Sequence, residues 1–171
     1  MAAELASQEH VRPYDETEAE KIRMRWLRPM TQESGENIYP IRDEIENLMW
    51  ENVGLVRTGN KIKEAIGRLD ALLEKAARAS VENRFIRQYN MEWNNIIDVI
   101  NLITISRMVA ASALYREESR GGHYREDFPK TDNSNWLINI CQKRKDDTGI
   151  ELTQKPVVLN RLKREEIENI K

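Results

Sequence analysis

Apolar side chains recur at helical spacing through the middle of the chain. A first face follows Pro40, a residue that suits the first turn of a helix, and comprises Ile41, Ile45, Leu48, Met49 and Val53. After Thr58-Gly59-Asn60, a second face has the spacing of a heptad seam and comprises Ile62, Ile66, Leu69, Leu73 and Ala76. The pattern therefore predicts two successive helices that each bury one side.

A third predicted helix, from about Arg87 to Glu118, is the longest and is apolar on more than one side. Its first stripe comprises Trp93, Ile96, Ile97, Ile100 and Ile103, and this stripe is broadened by Val99, Leu102, Ile105, Val109 and Ala113. A helix that is covered on one flank alone does not need such breadth. We therefore expect this helix to lie between its bundle partners and a further surface. No apolar run approaches the ~20 residues that a membrane helix needs.

The pattern differs on both sides of these helices. Before them, residues 18–27 predict a short helix that ends at Pro29, and residues 31–37 resemble a loop. After Pro129, residues 136–141 and 150–158 predict the two strands of a β-hairpin. The sequence thus predicts an all-α fold in three parts: an N-terminal segment at 1–39, a three-helix bundle at 40–129, and a small C-terminal β-hairpin with a charged tail at 130–171.

The N-terminal residues read as a helix without a beginning. No Ser, Thr, Asp or Asn stands ahead of Ala2 to cap the free N–H groups of a first turn. We therefore expect the segment from Ala2 to Ala6 to be the end of a helix that belongs to a preceding region.

Composition excludes several classes of function. The 171 residues carry a net charge of -2, which gives no overall attraction to nucleic acid. The single cysteine, Cys141, excludes an intrachain disulfide and a multi-cysteine metal site, and we interpret it as a packing residue. Neither His10 nor His123 lies three residues after a glutamate, which excludes the di-iron bundle pattern. The glycine-rich nucleotide motifs, the nucleophile elbow and the zinc-binding helix motif are absent.

The four tryptophans divide into two pairs. Trp50 and Trp93 fall on the apolar faces of predicted helices, so we expect them in the core. Trp26 and Trp136 lie outside the three main helices and are better candidates for an interface with another domain.

The segment from Tyr115 to Pro129 crowds three arginines, one histidine and four carboxylates around the predicted end of the third helix. In a structural interpretation, Gly121 or Gly122 caps that helix and the arginines pair with neighbouring carboxylates. In a catalytic interpretation, Arg120, His123 and Arg125 clamp a dicarboxylate, with His123 as proton donor. A clamp needs a walled pocket, for which this short chain has little material. The sequence therefore favours docking over catalysis.

Two motifs in this order resemble a known family. The first is the run from Met49 to Arg57, followed by Leu69 and Leu72-Leu73, and the second runs from Glu118 to Pro129, with Asn135-Trp136-Leu137 after it. Together they resemble the C-terminal helical domain of the succinate dehydrogenase and fumarate reductase flavoproteins, a superfamily that includes L-aspartate oxidase. The resemblance extends from about Pro40 to Val158.

The resemblance implies a spectrin-repeat-like three-helix bundle and no cofactor in this chain. FAD would lie in a preceding domain, whose last helix would end at Ala2 to Ala6. In this family the groups that bind the dicarboxylate and move the proton come from other domains, so no residue here is assigned a catalytic role. What the resemblance implies is an interface with the FAD-binding domain, formed by Arg120, His123, Arg125 and Trp136. The implied partners are that domain and an iron–sulfur subunit.

The favoured hypothesis is thus a docking domain of a succinate dehydrogenase or fumarate reductase flavoprotein, inactive by itself. The strand after Gly149 favours this type over an L-aspartate oxidase-like enzyme. A free-standing helical interaction module is the alternative from another class, and a small enzyme that uses Arg120, His123 and Arg125 is the least favoured. The hypothesis implies a cytoplasmic location, at the inner face of a membrane where partner subunits hold it there. It also implies that the isolated domain exposes an apolar patch and self-associates.

Overall fold

The structure is a computed structural model that describes residues 15–145, 149–161, 163 and 166–167. Its elements, in chain order, are α1 (Glu16–Thr31), α2 (Ile38–Val53), β1 (Val56–Arg57), α3 (Gly59–Ala76), α4 (Met91–Tyr115), β2 (Tyr124–Arg125), α5 (Asn133–Trp136), β3 (Ile138–Arg144) and β4 (Ile150–Pro156). The predicted fold class, a helical bundle with a small C-terminal hairpin, is confirmed. The expectation for Ala2 to Ala6 lies outside the described residues, and the division of the chain after residues 39 and 129 stays a prediction.

Each bundle helix begins at a side chain that caps its first free N–H groups. The oxygen of Asn37 accepts from Tyr39 N at 2.9 Å, and that of Thr58 accepts from Lys61 N at 3.4 Å. The oxygen of Asn90 accepts from Trp93 N at 2.9 Å. The predicted start of α4 near Arg87 is therefore four residues early, because the cap lies at Asn90 and the helix begins at Met91.

The core lies between α2, α3 and α4. Its fully buried members include Ile38 and Ile45 of α2, Ile62, Ala65 and Leu69 of α3, and Ile96, Ile103 and Ala110 of α4. Burying one isoleucine or leucine side chain stabilises a fold by about 1.5–3 kcal/mol. Helix α1 packs across the start of α4, where Trp93 Nε1 donates to the carbonyl of Trp26 at 2.8 Å.

Two expectations for the first half of the chain are wrong. Helix α1 does not end before Pro29 but continues to Thr31, because Pro29 and Met30 are buried against the bundle and the Pro29 carbonyl accepts from Val81 N at 3.2 Å. Trp50 is not in the core: its side chain is 71% exposed. Leu48, two residues earlier, is buried. Two residues correspond to about 200° of helical rotation, so Trp50 lies on the opposite side of the helix from Leu48.

Helix α4 has more apolar surface than the bundle covers. By length and a mean hydropathy of 1.6 it could span a membrane, contrary to the sequence expectation. Here, however, one side of it is packed on α2 and α3, and Arg107 in its middle pairs with Asp70 at 2.7 Å. The other flank exposes Ile105, Met108 and Val109. We call these three residues the α4 flank; no described part of the chain buries them.

The C-terminal hairpin is confirmed with shifted bounds. Strands β3 and β4 are antiparallel, with register from Ile138 opposite Pro156 to Arg144 opposite Ile150. The first strand begins at Ile138 rather than Trp136, because Asp132 caps the short helix α5 by accepting from Asn135 N at 3.0 Å. It continues into residues predicted as a turn, since Lys143 pairs across the hairpin with Glu151.

Replacing Leu69 with alanine tests the bundle core. Leu69 is fully buried, so Leu69→Ala is expected to lower the free energy of unfolding by about 2–5 kcal/mol. Lys63→Ala, at an exposed position of the same helix, should change it by no more than about 0.5 kcal/mol. Urea unfolding followed by circular dichroism measures both; equal effects would show that α3 does not pack as described.

Candidate functional site

The segment after α4 returns to the turn between α2 and α3. There β1 and β2 pair in parallel, with Val56 opposite Tyr124 and Arg57 opposite Arg125. The pairing is extended by Glu126 N, which donates to the Arg57 carbonyl at 2.9 Å. We call residues 116–131, together with residues 57–59 that they contact, the latch. The latch joins the end of α4 to the start of α3.

Arg125 is the centre of the latch and is 2% exposed. Its Nη1 donates to the carbonyls of Ala113, Leu114 and Arg116 at 2.9, 3.1 and 3.1 Å. Those carbonyls belong to the end of α4, which leaves its last acceptors without helical partners. Arg125 therefore caps α4, and the cation lies at the negative end of the helix dipole.

This cap replaces the one expected from sequence. Helix α4 ends at Tyr115 and the next residue, Arg116, is extended, so neither Gly121 nor Gly122 caps it. Gly121 does have a left-handed backbone, with φ of 56°, but it lies in a tight turn. Arg120 N donates to the His123 carbonyl at 2.8 Å across that turn, and His123 N donates back at 2.9 Å. The glycine pair turns the chain toward β2 instead of ending the helix.

Asp127 completes the centre of the latch. Arg125 donates from Nε to one Asp127 oxygen and from Nη2 to the other, both at 2.7 Å. The second oxygen also accepts from the backbone N–H of Gly59, the first residue of α3, at 2.9 Å. The hydrogen bond from Arg125 holds the pKa of Asp127 well below its ordinary value, with help from Gly59 N and against the effect of burial. One ion pair thus connects the end of α4 to the start of α3.

Glu118 organises a second set of contacts and is fully buried. It accepts from Arg116 Nη1, from Arg120 Nε at 2.8 Å and Nη2 at 3.0 Å, and from Asp132 N at 2.8 Å. Burial alone raises the pKa of this carboxyl, but the hydrogen bonds from Arg120, Asp132 N and Arg116 outweigh it and hold the pKa below its ordinary value. Glu118 is therefore an anion that neutralises the arginines around it.

Arg116 connects the latch to the C-terminal hairpin. Its guanidinium donates to the carbonyls of Trp136 at 3.0 Å and Ile138 at 2.9 Å, and it lies over the Trp136 ring at 5.6 Å. The same ring meets Tyr115 edge to face, with centroids 5.9 Å apart. Trp136 is therefore a half-buried residue that fixes α5 and β3 against the end of α4.

His123 is held beside Arg57. Its Nδ1 lies 2.8 Å from Nη1 of Arg57, which can only donate, so the neutral ring carries its proton on Nε2. That Nε2 is buried and has no hydrogen-bond partner in the described structure. Burial lowers the pKa of His123, and the charges of Arg57, Arg116 and Arg125 lower it further, while the Arg116 carbonyl opposes them. The ring is therefore neutral at pH 7.

The structure brings three of the four predicted site residues into the latch and packs the fourth, Trp136, against it, but gives the four different exposures. Arg120 is one-third exposed and bonds Asn133 Oδ1 at 2.8 Å, while His123 and Trp136 are half-buried. Arg125 is buried with its donors used inside the chain, so it cannot contact another domain through its side chain. Its interface role stays a prediction, in which Arg125 acts by shaping the latch.

Several members of the latch were not among the predicted site residues: Arg57, Gly59, Glu118, Ser119 and Asp127. Ser119 Oγ, for example, accepts from Arg125 N at 2.9 Å and donates to the Phe128 carbonyl at 2.8 Å. The available signal was Arg57 at the end of the first motif and Thr58-Gly59 directly after it, a polar stretch that no helical face explained. Within the described ranges, no group of three or more His, Cys, Asp or Glu side chains could hold a metal ion.

The model of the fumarate reductase flavoprotein C-terminal region matches residues 42–169 of the chain. The chain belongs to this family. The CoM/CoB fumarate reductase of Methanothermobacter marburgensis has a subunit that is 33% identical over 140 residues, which are 82% of this chain and 24% of the relative. The succinate dehydrogenase flavoprotein subunit of Coxiella burnetii is 34% identical over 66% of this chain and 19% of its own length.

Solved structures of related flavoproteins also resemble this chain. The Sdh1 complex of Mycobacterium smegmatis in its apo form contains a chain with a TM-score of 0.83 and 30% identity, over 94% of this chain and 28% of that chain. A quinol–fumarate reductase with menaquinol has a TM-score of 0.79 and 28% identity, over 87% of this chain and 26% of its own. Adenylylsulfate reductase of Archaeoglobus fulgidus, at 15% identity and a TM-score of 0.74, shares the fold. The chain thus spans about a quarter of these relatives and corresponds to their C-terminal domain.

A pair of glycine substitutions tests the close approach in the latch. A Cβ on Gly59 would lie 3.0 Å from an Asp127 oxygen and 3.2 Å from Arg125 Nη2, so Gly59→Ala is expected to lower the free energy of unfolding by about 1–3 kcal/mol. Gly67→Ala, in the same helix with nothing within 4 Å, should raise it by about 0.5–1 kcal/mol. Urea unfolding measures both, and a stabilising Gly59→Ala would contradict the described latch.

The pH dependence of stability tests His123. Because its pKa is lower in the folded chain than the ordinary 6.5, the unfolded chain binds a proton first as the pH falls. The free energy of unfolding is therefore expected to decrease as the pH drops below 6.5, where the unfolded chain takes up a proton that the folded latch does not. His123→Gln should flatten this decrease. The free energy of unfolding, measured between about pH 5 and pH 7 for both chains, tests this. If it depends on pH in the variant as it does in the unsubstituted chain, His123 is not the cause.

Proposed function

We propose that this domain braces the FAD-binding part of a succinate dehydrogenase or fumarate reductase-type flavoprotein and performs no catalysis itself. The observation that carries the proposal is the α4 flank, an exposed apolar surface on the helix that also forms the centre of the bundle. A monomeric domain gains nothing from exposing such side chains on its most apolar helix, whereas a domain interface buries them.

The charges of the latch support docking rather than catalysis. Arg116, Arg120 and Arg125 are engaged by Glu118 and Asp127 inside the chain, so they are not free to clamp a dicarboxylate or the phosphates of FAD. The Gly121-Gly122 turn is closed by its own backbone hydrogen bonds. The described residues therefore do not fit FAD, and we assign the flavin to the preceding domain that the family implies.

Partners and location follow from the same proposal. Relatives are named as flavoprotein subunits, and one is part of a quinol–fumarate reductase. We assign to the whole protein an FAD-binding domain of its own and a neighbouring iron–sulfur subunit. In that assembly it would lie on the cytoplasmic side, at the inner face of the membrane.

A chimera tests the bracing role. This chain replaces the matching C-terminal region of the Methanothermobacter marburgensis relative, with a protease site at the junction. After cleavage, the two halves are expected to remain associated and to retain FAD, because the α4 flank and the latch region are buried between them. Gel filtration with visible flavin absorbance measures both.

Two results would contradict the proposal. Halves that separate while both stay folded would favour a free-standing interaction module. Stoichiometric flavin on the isolated 171-residue chain would contradict the assignment of FAD to another domain. The Methanothermobacter marburgensis relative with its own C-terminal domain, cleaved at the same junction, serves as the matched control.

A further inference from the structure

Arg57 is a half-buried guanidinium that no carboxylate in the described part of the chain neutralises. Its Nε donates to the Val53 carbonyl at 2.9 Å and its Nη1 contacts His123 Nδ1 at 2.8 Å. Exposed arginines without an ion pair are stabilised by water. Arg57 is partly removed from that water, and burial lowers its pKa.

The surroundings of Arg57 do not compensate its charge. His123 is neutral, and its buried Nε2 has no partner among the described residues. Glu118 is shared by Arg116 and Arg120, and Asp127 is held by Arg125 and Gly59 N. The other two carboxylates of the latch, Glu117 and Glu126, are exposed, so Glu118 and Asp127 are the ones that pair with arginines in the described structure. A cation that is partly removed from water costs stability unless an anion pairs with it.

Exposed hydrophobic side chains lie at the same end of the bundle as Arg57: Trp50, Leu55, Val56 and Tyr124. Leu55 and Val56 directly precede Arg57, and Tyr124 is paired with Val56 across the two short strands. Arginine with tryptophan and tyrosine inside an apolar surface is the composition enriched at the centres of protein interfaces. We call these four residues with Arg57 the Arg57 surface.

We propose that the Arg57 surface receives one Asp or Glu side chain of the FAD-binding body, which pairs with the Arg57 guanidinium while the exposed hydrophobic residues at this end of the bundle pack against the same body. The inference rests on the proposed function and names the chemistry of its partner. Charge decides the occupant: an apolar segment alone would leave the guanidinium buried without an anion, and a basic segment would be repelled. A carboxylate accepts two parallel hydrogen bonds from a guanidinium.

The cleavable chimera tests this pairing. After cleavage, Arg57→Gln is expected to weaken the association of the two halves by about 30-fold or more, since removing one member of a buried charge pair leaves the other unpaired. Arg57→Lys, which keeps the charge but loses the planar fork, should have an intermediate effect. Arg87→Gln, at an exposed arginine of the loop before α4, should leave the association unchanged.

The outcomes distinguish the two proposals. If the unsubstituted halves separate, the bracing role fails. If they stay together and Arg57→Gln binds as tightly as the unsubstituted chain, the bracing role stands and the carboxylate pairing is overturned. Circular dichroism and urea unfolding of the isolated variant show whether it folds.

A second measurement needs no variant to fold. Acetate, added to the isolated chain with chloride at the same ionic strength as control, is expected to shift the NMR signals of the His123 ring saturably, because the ring contacts Arg57. Equal shifts with both salts would overturn the proposal. Sedimentation of the isolated chain tests whether a second copy occupies this surface instead. A dimer that Arg57→Gln dissociates would assign the surface to that second copy.

Discussion

The rest of the structure depends on the burial of one cation, the guanidinium of Arg125, among the last carbonyls of α4. A buried charge is tolerated where hydrogen bonds and a counter-ion surround it, and Arg125 has three carbonyls and both oxygens of Asp127. Because Asp127 also accepts from Gly59 N, this cation fixes two helices and the turn between α2 and α3 at once. The Arg57 surface has its shape because these contacts hold the turn and β1 in place.

Helical periodicity predicted the bundle because its cause is local. Apolar residues at spacings of three and four must share a face, so the core of α3 could be placed from sequence. Trp50 shows the limit of this reasoning, since a wide apolar face does not say which of its edges the neighbouring helices cover. Pro29 shows another limit: burial of Pro29 and Met30 against the bundle keeps α1 helical beyond the residue that local propensity predicts as its end.

The sequence predicted that the site residues lie together, but not which of them contact each other. The density of arginines and carboxylates from Tyr115 to Pro129 indicated that these residues act together. The arginine–carboxylate pairs described above join residues two positions apart, but the place where the cluster docks depends on Arg57 and Gly59, which lie more than sixty positions away along the chain. No local pattern encodes such contacts. Arg125 and Arg120 lie in the same cluster of the sequence, yet one is buried and the other one-third exposed because only the first reaches the end of α4.

The parallel pairing of β1 with β2 has a consequence for how the chain folds. Contacts between residues so distant in sequence form late, since closing the long loop costs entropy that only the packed helices between them can offset. We expect the latch to close after α3 and α4 have packed. The Arg57 surface then exists only on a bundle that is already complete, so an incompletely folded chain offers nothing for a partner domain to bind.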